Sequence, residues 1–346
     1  MAQHTRIFLF GDQTYDFVPK LRELLPVKDN PILTVFLDQA HYVVRAQMIL
    51  SLPPKEHKAA RTANLSQMLQ KYSDGELNPA FQTALACICQ LGCFIRQFGE
   101  FGKPYPRPED TYVLGLCTGS LAAAAVSSCC SLSELLPAAV RTVLMAFRLG
   151  LCVVDMRNRM EPPSRDISQE WSIVVSDLEP KAASNAIDEF CQAEIIPETM
   201  QPWITATAAK ATTISGPPSV LRRMMESSGF AGFKSRSIPI FVPSHTCHLF
   251  TIDDVKAILE TTSSNDWTGY TAKIPVISSA NGKLAWVGSF RALMERALSD
   301  CLLEPLRWDK IEEEFPQLLQ SRGTDHIIIH PIATNAEKAL AISIKK

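Results

Sequence analysis

The 346-residue sequence carries little excess charge, no long apolar run and few histidines, and each shortage removes a class of function. Lys and Arg number 34 against 36 Asp and Glu, a net charge of −2. That balance implies neither a nucleic-acid surface nor attraction to an anionic membrane, and there is no acidic tail. Apolar runs are broken by charge or glycine well short of about 18 residues, so no transmembrane helix is expected. The opening MAQHTRIFLFGDQTYD reads as a strand and turn, without the basic start and apolar stretch of a signal peptide. No internal repeat or low-complexity segment is present. The chain stops at AISIKK without a tail of its own, as expected of a domain cut from something longer.

What is present is cysteine, ten in all, and without a secretory signal they indicate a reducing, cytoplasmic compartment. No C-x-x-C pair occurs, and Cys87, Cys89 and Cys93 suit the face of an apolar helix better than a zinc site. A structural metal is therefore not expected. Strand and helix patterns alternate, the signature of an α/β fold. TRIFLFGDQ and TYVLGL read as buried strands, and NPAFQTALACICQLGCFIRQFG, TGSLAAAAVSSCC and LLPAAVRTVLMAFRLGLCVVDMRNRM as helices. The middle then runs strand, helix, two strands, helix, strand, a ferredoxin-like order. Residues 161–240 are expected to form a small inserted subdomain, with 1–160 and 241–346 making the larger α/β one.

The chemistry centres on GLCTG, residues 115–119. A nucleophile on a sharp strand-to-helix turn sits at strained φ/ψ, and side chains two positions away would strike neighbouring backbone. Gly115 and Gly119 bracket Cys117 as that turn requires, between strand TYVLGL and a helix of small residues. The turn sets Thr118 at a helix N-terminus, where its N–H can face a developing oxyanion. The same helix end favours thiolate over thiol.

A nucleophilic cysteine needs a base or ion-pair partner. Of seven histidines, His4, His41 and His57 fall at the chain start or in helical or charged stretches. His245 and His248, in VPSHTCHLF, are read at the end of a strand with Pro243 and Ser244 forcing a turn. His245 is the first candidate, and His248 and His330 are the alternatives.

At these residues the sequence resembles a known family. VPSHTCHLF is similar to the V-P-S-H segment of malonyl-CoA:acyl-carrier-protein transacylases, GDQTYD stands where that family has G-Q-G, and ISGPPSVLRRMMESSG and IPVISS…LLEPLRWDKI match further segments in family order. FGDQTYD, LNPAFQTALACICQLGCFIRQFG, GLCTGSLAAAAV and GPPSVL resemble more closely one branch, the starter-unit acyl-carrier-protein transacylase (SAT) domain of fungal non-reducing polyketide synthases.

The resemblance implies an α/β-hydrolase-like acyltransferase core and a Cys–His dyad working by a ping-pong reaction. Cys117 would take an acyl group from acyl-CoA or a carrier protein, with His245 as base. The group would pass to the phosphopantetheine thiol of an acyl carrier protein, in company with other domains of a multidomain synthase. Gln13, carried over from the family, would join Thr118 in the oxyanion hole, and no cofactor would be bound by the domain itself. Malonyl-specific members hold the malonyl carboxylate with an arginine on a later helix; here Ala146 falls near that position, with Arg148 close by, so a neutral acyl chain is expected. Two other readings compete: an acyl thioesterase, for which no acidic third member precedes the histidine, and a catalytically silent carrier-protein docking domain.

Overall fold

The computed structural model describes residues 4–51, 53–54, 57, 62, 64–99, 103–161, 169–260, 271–285, 288–321 and 326–345. Its strands are β1 (His4–Phe10), β2 (Thr111–Gly115), β3 (Ser172–Ser176), β4 (Trp203–Ala208), β5 (Ala211–Ser215), β6 (Ser235–Ile238), β7 (Val276–Ile277), β8 (Leu284–Ala285), β9 (Leu306–Arg307) and β10 (His326–Ile332). The helices before the second sheet are α1 (Phe17–Leu24), α2 (Pro31–Ser51), α3 (Leu65–Ser73), α4 (Phe81–Phe98), α5 (Gly119–Ser127) and α6 (Leu132–Met160). They are followed by α7 (Pro180–Ala193), α8 (Pro218–Glu226), α9 (Ile252–Leu259), α10 (Phe290–Leu302), α11 (Trp308–Ser321) and α12 (Glu337–Lys345).

The first sheet has the order β10-β1-β2-β7-β8 and is parallel from β10 to β7. Parallel strands need helical crossovers, so both faces become covered and the strands read as continuous apolar runs. All five residues of β2 are buried accordingly. Phe8, Phe10 and Val113 enter the larger core with α4, α5 and α6, while Ile7, Leu9, Tyr112 and Leu114 pack with Ile311, Phe315 and Leu319 of α11. Each fully buried Phe or Leu is worth roughly 2 kcal/mol by apolar area, which fixes β1 and β2 as the rigid floor of the molecule. Helix α6 is long and apolar enough to cross a bilayer by length and composition, but its apolar residues lie in this core.

The second sheet has the order β6-β3-β5-β4-β9, with β6-β3-β5-β4 wholly antiparallel. Its first four strands and helices α7 and α8 run in the chain as strand, helix, strand, strand, helix, strand. A separate apolar core, including Val175, Ile187, Phe190, Ile214, Leu221 and Phe230, lies beneath them. The sheet also takes in β9, which pairs in parallel with β4 through Ala206 and Leu306, so residues far along the chain from 161–240 contribute to it. The expected boundary near 161 adjoins residues 162–168, which lie outside the described residues.

Candidate active site

The parallel register sets Phe10 opposite Gly115, so β1 and β2 end side by side and their following loops are neighbours. The Leu116 N–H donates to the Phe10 carbonyl at 3.0 Å and prolongs the pairing to the residue before Cys117. Cys117 then adopts φ +48°, left-handed backbone that costs a non-glycine residue energy. The turn closes at once: the Ser120 N–H donates to the Cys117 carbonyl at 2.9 Å, and α5 begins at Gly119. A Cβ at Gly119 would meet the carbonyl oxygens of Gly11 and Phe10, and one at Gly115 would collide with Ser120 backbone. Both glycines are thus demanded by sterics on either side of the cysteine.

His245 arrives differently. The sequence reading placed it at the end of a strand, but β6 stops at Ile238 and His245 lies in an irregular loop well beyond it. Pro239 and Pro243 have no N–H to donate to a ladder, which ends the strand. The loop is held instead by the C-terminus of α10, whose last carbonyls have no partner within the helix. The N–H groups of His245 and Thr246 donate to the carbonyls of Cys301 (3.0 Å) and Leu302 (2.6 Å). From the other side, Trp203 on β4 donates its indole N–H to the Ser244 carbonyl at 2.9 Å. His245 is itself held at φ +59°.

These two supports bring the imidazole Nε2 of His245 to 3.0 Å from the Cys117 sulfur, with both residues buried. His245 Nδ1 lies 2.7 Å from the Glu304 carbonyl, which only accepts, so Nδ1 carries a proton and Nε2 faces the sulfur. Among the described residues no carboxylate is bonded to the ring. The main-chain carbonyls at the end of α10 orient it, at the negative pole of that helix.

The electrostatics favour charge separation. The hydrogen bond from the Cys301 thiol draws Cys117 well below the usual thiol range; burial opposes it, and the His245 charge and the Thr118 N–H reinforce it. Burial acts to lower His245, but the Cys117 charge and hydrogen bond, with the carbonyls of Glu304 and Asp300, outweigh it and push the imidazole up to about 9. Both shifts act in the same direction, favouring passage of the thiol proton to the imidazole. By contrast, burial pushes Cys129 and Cys152 up to about 12.

A cavity of about 10 Å³, on the order of one water, is lined by Gln13, Thr83, Cys117, Thr118, Leu149, Val153, Val242, Ser244 and Cys301. Gln13, Cys117 and Thr118 are thus brought together as the sequence suggested. From α6 the residues facing the cavity are Leu149 and Val153, four apart on one face. Ala146 is wholly buried in the core, and Arg148 turns away to the Gln47 side chain and the Ile258 and Glu260 carbonyls. His248 bonds Thr246 and packs edge-on to Trp203, while His330 bonds Gln97 and stacks on Phe8. Both alternatives are occupied elsewhere.

Cys301, Glu304 and Asp12 are site residues the sequence reading missed. Asp12 accepts the Thr14 N–H at 2.8 Å, and burial raises its carboxyl, with the Cys117 charge adding to the rise. Its place beside Gln13 in GDQT was a readable signal; nothing local marks Cys301 or the Glu304 carbonyl. Among the described residues no three His, Cys, Asp or Glu side chains assemble as a metal site.

A nucleophile elbow on a parallel sheet, a histidine from a distant loop and a second antiparallel sheet define the acyltransferase class of α/β-hydrolase-like folds. The malonyl-CoA:ACP transacylase (MCAT) of Streptococcus pneumoniae shares that fold, with a TM-score of 0.61 at 14% identity over 99% of this chain and 92% of the other. A malonyl-transacylase solved in complex with a type II polyketide synthase acyl-carrier protein aligns with a TM-score of 0.58 at 14% identity, over 99% of each chain. The chain belongs to the family described as "Starter unit:ACP transacylase in aflatoxin biosynthesis" (SAT), whose model matches residues 8–245. It is similar to norsolorinic acid synthase of Dothistroma septosporum, 57% identical over 340 residues, covering 98% of this chain. The chain spans only 14% of the length of that relative.

Proposed function

We propose that this starter-unit transacylase works through Cys117 and His245 in a two-step ping-pong reaction, a reading carried by the 3.0 Å approach of Nε2 to the sulfur. The Cys117 thiolate attacks the carbonyl carbon of an acyl-CoA thioester, and the tetrahedral oxyanion is met by the N–H groups of Thr118 and Gln13. Collapse breaks the carbon–sulfur bond to CoA, and the departing sulfur takes the Nε2 proton of His245. The phosphopantetheine thiol of an acyl carrier protein then gives its proton to His245 and attacks the Cys117 thioester. A second collapse returns the Cys117 thiolate. Exchange of one thioester for another is nearly isoenergetic, so the site's task is to exclude water.

The cavity lining includes no Lys or Arg, and Arg148 is engaged elsewhere, so no basic side chain there would pair with a substrate carboxylate. A neutral acyl chain against Leu149, Val153 and Val242 follows. The donor is acyl-CoA or an acyl carrier protein, and the acceptor a carrier protein within a larger synthase of which this chain forms one part. Incubation with a set of acyl-CoAs, read by intact mass and peptide mapping, is expected to give one acyl adduct on Cys117. None should form in Cys117→Ala; an adduct persisting in that variant would move the nucleophile elsewhere.

A further inference from the structure

Cys301 touches both members of the dyad. Its thiol lies 3.0 Å from the Cys117 carbonyl oxygen and donates to it. Its own carbonyl accepts the His245 N–H at 3.0 Å. Its side chain lines the same cavity and is 1% exposed. An apolar residue of that size would fill the space between α5 and α10 equally well, yet the thiol is turned onto the strained main chain of the nucleophile. The Cys117 carbonyl already accepts the Ser120 N–H at 2.9 Å, so two donors converge on a peptide group whose φ is +48°.

We propose that Cys301 is a positioning residue for the nucleophile: its S–H pins the Cys117 peptide in the left-handed conformation and so keeps the sulfur in line with His245. The proposal rests on Cys117 being the acylated residue. The directions of titration agree, because Cys301 is held well above the thiol range while Cys117 is held below it. Cys301 therefore keeps its proton, as a donor must, when Cys117 has lost its own. The other titratable groups facing Cys117 are His245 from the loop after β6 and Asp12 from the loop after β1. Asp300, on α10 beside Cys301, is paired with Arg296 at 2.7 Å and accepts the Ser278 hydroxyl at 2.9 Å. None of these supplies a neutral donor to the Cys117 carbonyl.

The test is the pH dependence of Cys117 alkylation by iodoacetamide, read by peptide mapping because Cys130 and Cys247 are also exposed. Cys301→Ala is expected to raise the midpoint for Cys117 by about one pH unit, roughly a tenfold loss of thiolate below it. Acyl transfer should fall about tenfold below that midpoint and recover as pH rises through it. Cys301→Ser, which keeps a donor, should restore most of the shift. If Cys301→Ala fails to fold by circular dichroism, Cys301→Val against Cys301→Ser reads the same contrast of donor against volume. An unmoved midpoint in Cys301→Ala, or a Val variant as good as Ser, overturns the proposal. Transfer that survives Cys117→Ala would instead overturn the reading of Cys117 on which it rests.

Discussion

Cys117 follows a strand buried over all five of its residues, whereas His245 follows, at a distance, an edge strand exposed over three of its four. The nucleophile is fixed by what is covalently next to it. Buried β2 delivers the chain, glycines permit the turn, and α5 carries it away. The histidine is fixed by what is far from it in sequence: the end of α10 on one side and Trp203 of the second sheet on the other. One half of the dyad is therefore set by local sterics and the other by tertiary hydrogen bonds, and the two halves should break in different ways.

The largest effect is expected at the elbow. In Gly119→Ala the added methyl meets the Gly11 and Phe10 carbonyls, and neither strand end can retreat because both lie in the core. The turn must open, at a cost on the order of 3 kcal/mol of stability, and the sulfur leaves its place. Thermal unfolding and adduct formation should fail together. A variant that kept its melting temperature and its acylation would show that the turn has slack the steric argument denies.

Next comes His245→Ala, which should leave folding intact because the loop is held through main-chain groups. Transfer should drop by roughly 10²–10⁴-fold, the usual worth of a general acid–base group. The pH profile gives the sign. In the intact protein Cys117 loses its proton well below the usual thiol range and His245 keeps its own up to about 9, so transfer should be level through neutrality and decline above about pH 9. Without the imidazolium the thiol rises, so Cys117 alkylation at neutral pH should be lost and return under alkaline conditions. Equal alkylation profiles in the two proteins would contradict an ion pair.

The same contrast explains what could be read from the sequence. Elbow, flanking strand and small-residue helix lie in one continuous stretch, and physical rules on spacing and glycine suffice for Cys117. His245 stood out from His248 and His330 only as the first candidate. The structure separates them by giving the latter two other partners. The strand expected to lead to His245 ends early at prolines, and nothing in the sequence marks the end of α10 as an acceptor for a distant loop. Likewise the family resemblance set Ala146 near the arginine's position, while the cavity is lined further along α6 by Leu149 and Val153. Which residues of a long core helix meet a site depends on its rotation against neighbours, and the apolar face that packs the core does not by itself mark the few that reach the cavity.

The smallest effect, and the finest division of the two halves, is expected from Trp203→Phe. The ring volume is largely kept and only the indole N–H to the Ser244 carbonyl is removed, a bond worth about 1 kcal/mol. With α10 still holding His245 and Thr246, the imidazole should wander rather than leave, and kcat should fall on the order of fivefold with KM little changed. Because the lost bond ties β4 to the loop carrying His245, the Cys117 adduct should still form completely at long times, and the melting temperature should barely move. A loss confined to the rate would identify the second sheet as a support for the base alone. If kcat were unchanged, α10 by itself would be enough to set the ring, and the tie to β4 would serve only to dock one sheet on the other.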